Sequence, residues 1–194
     1  MVIDDRGQII FLNGTSSSGK TSIAEALLPL LAPPYFHLSV DAINSLRAKE
    51  PTQRLSRSEL DRVLKQTRAG FHRVVAAMAE AGNNVIADYV LSERWRLLDC
   101  LTVLRPFDVV FVGVRCSAEE LVRRERACDD REIGQGAAQQ AAVHSHDLYD
   151  IEFDTEQHNP STCAALICEY LHEPHPYRAF DQLREKFGDS LSGL

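Results

Sequence analysis

Short apolar runs alternate along the chain with longer stretches of helical spacing. Gln8-Ile-Ile-Phe-Leu-Asn-Gly14 is apolar and ends in a Gly/Ser-rich turn, which predicts a buried strand. From Thr21 to Leu31 the apolar positions Ile23, Ala24, Leu27, Leu28 and Leu31 recur at helical spacing, and Pro33-Pro34 stops the pattern. Phe36–Asp41 predicts a second strand, Glu59–Ala81 a long helix closed by Gly82, and Asn84–Asp88 a third strand. Ser92–Leu104 reads as a helix with Ser92 as its N-cap. Asp108–Cys116 is the most strand-like segment, and Ser117–Glu120 has the capping-box pattern that opens a helix. Asp150–Asp154 and Ser161–Leu171 add a fifth strand and a further helix. Strands that read as buried on both faces and alternate with helices predict an α/β fold: a five-stranded parallel sheet with helices on both faces, in three layers. The expected organisation is one domain over residues 1–172, with a tail at 173–194 that carries a short helix near Phe180–Phe187.

Composition narrows the class. A chain of 194 residues, 44% hydrophobic and 25% charged, can bury one substantial core. Its net charge of −7 argues against general binding to nucleic acid or anionic membranes. No apolar run is long enough to cross a bilayer, and the first residues carry two acids without an apolar signal core. Five cysteines, an odd number with no C-x-x-C, read as reduced thiols. A cytoplasmic protein is expected, and an oligomeric state is not readable.

The first strand leads into Gly14-Thr15-Ser16-Ser17-Ser18-Gly19-Lys20-Thr21, which fits G-x-x-x-x-G-K-[ST] in full, with Ser22 next in the following helix. The glycines let the chain wrap closely, so that backbone N–H groups point at phosphate oxygens. The helix presents its positive N-terminus to the same anion. Lys20 is placed to reach the outer phosphates of a nucleotide and the Thr21 hydroxyl to bind Mg²⁺. No Asn-Lys-x-Asp guanine-reading motif occurs, and the size suits a small kinase that phosphorylates a small hydroxyl-bearing acceptor.

In an open parallel sheet, ligands gather at the carboxyl ends of the strands. The second and third strands are read as ending in Asp41 and Asp88. Asp41 is the expected catalytic base, and Asp88 the expected support for the metal or the acceptor. The Arg-rich stretch after the fourth strand contains Arg123, Arg124, Arg126 and Arg131. Arg123 and Arg124 read as a solvated helix face. Arg131, just before Gly134 and Gly136, is the candidate for a lid arginine over the transferred phosphoryl. His144 and His146 lack a third ligand, and His72 reads as packed or solvated.

With these residues in view, the chain resembles chloramphenicol phosphotransferase over roughly residues 8–171. The likeness rests on the residues from Ile9 through Thr21, then Ser39-Val-Asp-Ala-Ile43, Ile86-Ala-Asp88, Phe111-Val-Gly-Val-Arg-Cys116, Asp130-Arg131 with Gly134, Gln140-Ala-Ala-Val-His144, and Tyr149-Asp-Ile-Glu-Phe-Asp-Thr155. The resemblance implies an adenylate-kinase-like P-loop kinase fold, ATP and Mg²⁺. It implies transfer of the γ-phosphoryl to a primary hydroxyl of the drug, a reaction that confers antibiotic resistance. It also implies that Asp41 is the catalytic aspartate, that Lys20 and Thr21 are the phosphate-loop pair, and that Arg131 is the lid arginine. The segment from Leu46 to Arg57 departs from the pattern: it carries Arg47, Lys49, Arg54 and Arg57, an unusual lining for a neutral drug. A kinase for a nucleoside, sugar or other metabolite is one alternative. A non-catalytic nucleotide- or drug-binding resistance protein is another.

Overall fold

The computed structural model describes residues 5–127 and 133–191. Five strands, β1 (Ile9–Gly14), β2 (Tyr35–Ser39), β3 (Asn84–Tyr89), β4 (Val109–Arg115) and β5 (Ile151–Asp154), pair in parallel in the order β2-β3-β1-β4-β5. The helices are α1 (Lys20–Leu27), α2 (Val40–Ser45), α3 (Lys49–Gln53), α4 (Arg57–Glu80), α5 (Arg94–Val103), α6 (Ala118–Arg126), α7 (Gln135–Val143), α8 (Pro160–Leu171), α9 (Ala179–Lys186) and α10 (Gly188–Leu191).

The alternation of side chains along a strand divides the core in two. On β1, Ile9 and Phe11 join Val85, Tyr89 and Phe111 under α4, α5 and α9. Ile10 and Leu12 join Ile86, Val110 and Val112 under α1 and α8. The three-layer α/β fold expected from the apolar runs is therefore the fold observed. The C-terminal segment is part of it: Phe180 is buried against Phe11 and Phe111, with ring centroids 5.9 and 4.9 Å away.

Several boundaries differ from the sequence reading, some of them because of a side-chain hydrogen bond at an element end. The second strand stops at Ser39, whose hydroxyl accepts the Ala42 N–H at 3.1 Å and caps α2. Asp41 therefore lies in the first turn of a helix and not at a strand end. β3 runs one residue past Asp88, through Tyr89. The long helix starts at Arg57, because Ser56 and Glu59 form the capping box there. Ser92 does not cap α5; Glu93 holds that position. Ser117 accepts the Glu120 N–H at 3.2 Å, but the Glu120 carboxylate turns to Arg123 and Arg124, so the second half of that capping box is missing. The chain from Val40 to the start of the long helix holds α2 and α3.

Candidate active site

The loop between β1 and α1 is shaped by its own backbone. Gly19 takes the left-handed conformation (φ 101°), and a Cβ on Gly14 would lie 2.4 Å from the Val114 carbonyl oxygen. Ser17 also has positive φ (61°). Thr15, Ser16, Ser18 and Lys20 are buried, while Ser22 lines the cleft that opens above the loop. The Lys20 Nζ donates to the Thr15 carbonyl at 2.8 Å and stands 3.8 Å from the Asp88 carboxylate.

Thr21 and Asp88, 67 residues apart in sequence, meet here: the Thr21 hydroxyl donates to Asp88 Oδ2 at 2.6 Å. The register of β3 against β1 sets Asp88 opposite Leu12, so its side chain reaches the start of α1. Burial pushes the Asp88 carboxyl up, but Lys20, His37 and Thr21 outweigh it and hold the carboxyl below its ordinary value. An ionised carboxylate beside a hydroxyl supplies the hard oxygen donors that suit Mg²⁺. No cluster of three or more His, Cys, Asp or Glu side chains occurs among the described residues, so any ion here would draw its other ligands from phosphate and water.

The cleft above the loop has a volume of about 590 Å³. Its β2–β3 side is lined by Val40, Asp41 and Asn44 of α2, Arg68 of α4, Tyr89 at the end of β3, and Arg96 of α5. Asp41 is exposed on this side. Its β4–β5 side is lined by Arg123 and Arg124 of α6, Gln139 of α7, and Thr155. Arg124 is fixed: its guanidinium donates to Thr155 Oγ1 at 3.0 Å, to the Thr155 carbonyl at 3.1 Å, and to Glu120 at 2.8 Å. It also reaches the Ser18 and Ser17 carbonyls at 3.3 and 3.4 Å. The Ser16 N–H donates to the Gln139 side chain at 3.1 Å, which ties α7 to the phosphate loop.

Two outcomes differ from the sequence reading. Arg124 is not a solvated residue, although Arg123, with its side chain 72% exposed, largely is. The basic residues on the Asp41 side are Arg68 and Arg96; Arg47, Lys49, Arg54 and Arg57 do not line the cleft. Arg131 lies outside the described residues. Nothing local in the sequence marks Arg68, Arg96, Gln139 or Thr155, because each enters the site through the packing of its own element. Arg124 did carry a signal, the i,i+4 pairing with Glu120 that also orients it. His144 and His146 are buried: His144 Nδ1 lies 2.7 Å from the Tyr149 hydroxyl, which accepts from Asn13 Nδ2 at 2.7 Å.

Comparison with known proteins agrees with this architecture. The fold matches the Mycobacterium tuberculosis APS kinase CysC in complex with AMPPNP and APS (TM-score 0.65, 17% identity, 87% of this chain and 99% of that one). It also matches shikimate kinase from Bacteroides thetaiotaomicron (TM-score 0.62, 15% identity, 86% and 99%). These likenesses establish the P-loop kinase fold. In sequence, the chain is 32% identical over 205 aligned positions to a Mycobacterium tuberculosis (strain H37Rv) protein named "Putative O-phosphotransferase Rv2636", covering 93% of this chain and 89% of that protein. The family model described as chloramphenicol phosphotransferase-like protein matches residues 7–172, and the chain belongs to that family.

Proposed function

We propose that this protein is an ATP-dependent O-phosphotransferase that moves the γ-phosphoryl group to a hydroxyl of a small molecule. One observation carries the reading: the phosphate loop, the Thr21–Asp88 pair and Asp41 all face one cleft. The Gly14–Thr21 loop would hold the phosphates through backbone N–H groups, with Lys20 leaving the Thr15 carbonyl for the β- and γ-oxygens. Thr21 and Asp88 would hold Mg²⁺, which supplies charge neutralisation on the phosphates when bound. Asp41 would accept a hydrogen bond from the acceptor hydroxyl, orient the oxygen in line, and take its proton. In that step a bond forms between the acceptor oxygen and the γ-phosphorus, and the bond from that phosphorus to the β–γ bridging oxygen breaks. ADP leaves with the electron pair. Arg131 is proposed to close over the transferred group.

The test is ADP release from ATP and Mg²⁺ across a panel of hydroxyl compounds that includes chloramphenicol, with mass-spectral detection of the phosphate adduct. Turnover with an adduct supports the reading. Stoichiometric binding of a panel member without ADP release would favour a sequestering protein instead. The retained Lys20, Thr21 and Asp88 contacts speak against that outcome.

A further inference from the structure

The two sides of the cleft carry different cations with different partners. Lys20 and Arg124 are engaged with the phosphate loop and Thr155. Arg68, half-buried on α4, has no hydrogen bond or ion pair among the described residues. Burial, and then the like charge of Arg96, lower its pKa; Tyr89, Glu93 and Asp61 act the other way without outweighing them. Arg96 is buried, with its side chain 8% exposed. One of its terminal nitrogens donates to the Val90 carbonyl at 3.0 Å and the other pairs with Glu93, while its Nε has no partner. The guanidinium lies 6.0 Å from the centre of the Tyr89 ring, and the Tyr89 hydroxyl, also buried, lacks a partner too. Arg68, Arg96 and Tyr89 line the cleft wall on the same β2–β3 side as Asp41 and Asn44.

An unpaired, half-buried arginine held near a second arginine is costly unless something anionic completes it. The chain has a net charge of −7, yet the cleft lining holds Lys20, Arg68, Arg96, Arg123 and Arg124 against Asp41 and Asp88. The phosphates of a nucleotide account for the cations around the loop. They leave Arg68 with only the longer-range charges of Glu93 and Asp61, and with no hydrogen-bonded or ion-paired anion among the described residues.

We infer that the acceptor carries an anionic group, a carboxylate or a phosphate, that docks on Arg68 beside Arg96 and Tyr89. The planar guanidinium fork suits both anions. Arg68 would fix one end of the acceptor, so that its hydroxyl meets Asp41 at the other. This substrate class rests on the phosphotransferase reading, and it sets the acceptor apart from a neutral drug.

Trp95, the single tryptophan of the chain, adjoins Arg96, with the guanidinium 6.0 Å from its ring, and reports on this wall. With AMPPNP and Mg²⁺ saturating the nucleotide side, the protein is titrated with benzoate, inorganic phosphate and sulfate while Trp95 fluorescence is followed. The expected result is saturable binding of at least one anion, weakened about 10-fold or more in Arg68→Gln and partly restored in Arg68→Lys. Arg54→Gln, an exposed change outside the cleft, should leave it unchanged. Preference for benzoate marks a carboxylate acceptor, and preference for phosphate or sulfate a phosphorylated one. Equal affinity in Arg68→Gln and the parent would overturn the inference. So would anions that bind only by displacing AMPPNP. The hydroxyl-compound panel separates the two ideas. Adducts formed only on neutral compounds, with Arg68→Gln fully active, would remove the anionic acceptor and keep the kinase. Anion binding without any phosphorylated product would remove the kinase and keep the anion site.

Discussion

The two sides of the cleft differ in how far they are finished. On the phosphate side, Lys20, Thr21 and Arg124 already have partners within the protein, and the loop is shaped by Gly14 and Gly19. On the β2–β3 side, Asp41 is exposed and Arg68 has no hydrogen bond or ion pair among the described residues. A side built to receive the same phosphates in every reaction cycle can be pre-organised by its own backbone. A side built to receive one particular acceptor keeps its charged groups unmatched until that acceptor arrives. On the proposed reading, this contrast would leave the β2–β3 side to carry acceptor specificity.

The largest effect is expected from Lys20. It is the side-chain cation seated within the loop, and its Nζ has only to swing from the Thr15 carbonyl to a phosphate oxygen. Lys20→Ala should lower turnover by at least ~10³-fold and weaken nucleotide triphosphate binding strongly. Turnover like that of the parent in the purified variant would take the phosphate loop out of the mechanism.

Asp41 tests the other side. Asp41→Asn keeps the size and one acceptor oxygen but cannot take a proton. It should bind ATP with Mg²⁺ nearly as well as the parent while losing about 10²–10⁴ in kcat. A loss of nucleotide affinity as large as the loss of rate would place Asp41 with the metal and transfer the base role to Asp88. The two outcomes are separable because Asp88 is already bonded to Thr21, whereas Asp41 is exposed where it lines the cleft.

The same contrast explains how much was legible in the sequence. The phosphate half lies in one contiguous stretch, because wrapping an anion with backbone N–H groups requires glycines and a lysine at fixed spacing. The place of Asp88 near the carboxyl end of β3, beside the phosphate loop, was readable because strand direction is known in a parallel sheet, although β3 continues through Tyr89. Asp41 was readable as a residue but misplaced by element: Ser39 ended the strand two residues early with a local hydrogen bond that competes with strand pairing. The acceptor half was not readable. Arg68 sits in the middle of a 24-residue helix among other charged residues, and only the packing of α4 against α5 and α2 turns it inward. The basic run from Arg47 to Arg57 looked more suggestive, yet it does not line the cleft; Arg54 pairs with Glu50 and Arg47 donates to Asn44.

Beneath the phosphate loop, acid should act on buried histidines. Burial first, and then Arg115, hold His144 down at about 4; His146 is also lowered to about 4, with burial its main cause. In the unfolded chain both titrate near 6.5. Between those values the unfolded chain binds protons that the native protein does not. Their contribution to stability is therefore complete above about pH 7 and falls as the pH drops from 6.5 toward 4, by on the order of 2–3 kcal/mol for each histidine. Urea unfolding at pH 7 and pH 4.5 should show a smaller drop for His146→Gln than for the parent. His72 is also held below its ordinary value by burial and adds to the slope in both proteins, so the difference between them isolates His146. Identical drops would show that His146 does not titrate differently on folding.

The smallest effect divides two neighbouring arginines. Arg124 and Arg123 follow one another on α6 and both pair with Glu120. Only Arg124 continues inward, to Thr155 and to the carbonyls of Ser17 and Ser18. Its side chain is 26% exposed against 72% for Arg123. It thus braces the loop from the nucleotide side and presents charge to whatever occupies that side. Arg124→Ala removes charge-assisted hydrogen bonds whose net worth is about 1.5 kcal/mol, so the KM for ATP should rise about 10-fold. The KM for a verified acceptor should stay within about 2-fold, because Arg124 lies across the central strand from Asp41 and Arg68. Arg123→Ala should change neither constant by more than about 2-fold, as an exposed ion pair contributes little. A rise in the acceptor KM as large as that for ATP would mean that the two sides of the cleft are not separate, and that Arg124 shapes both.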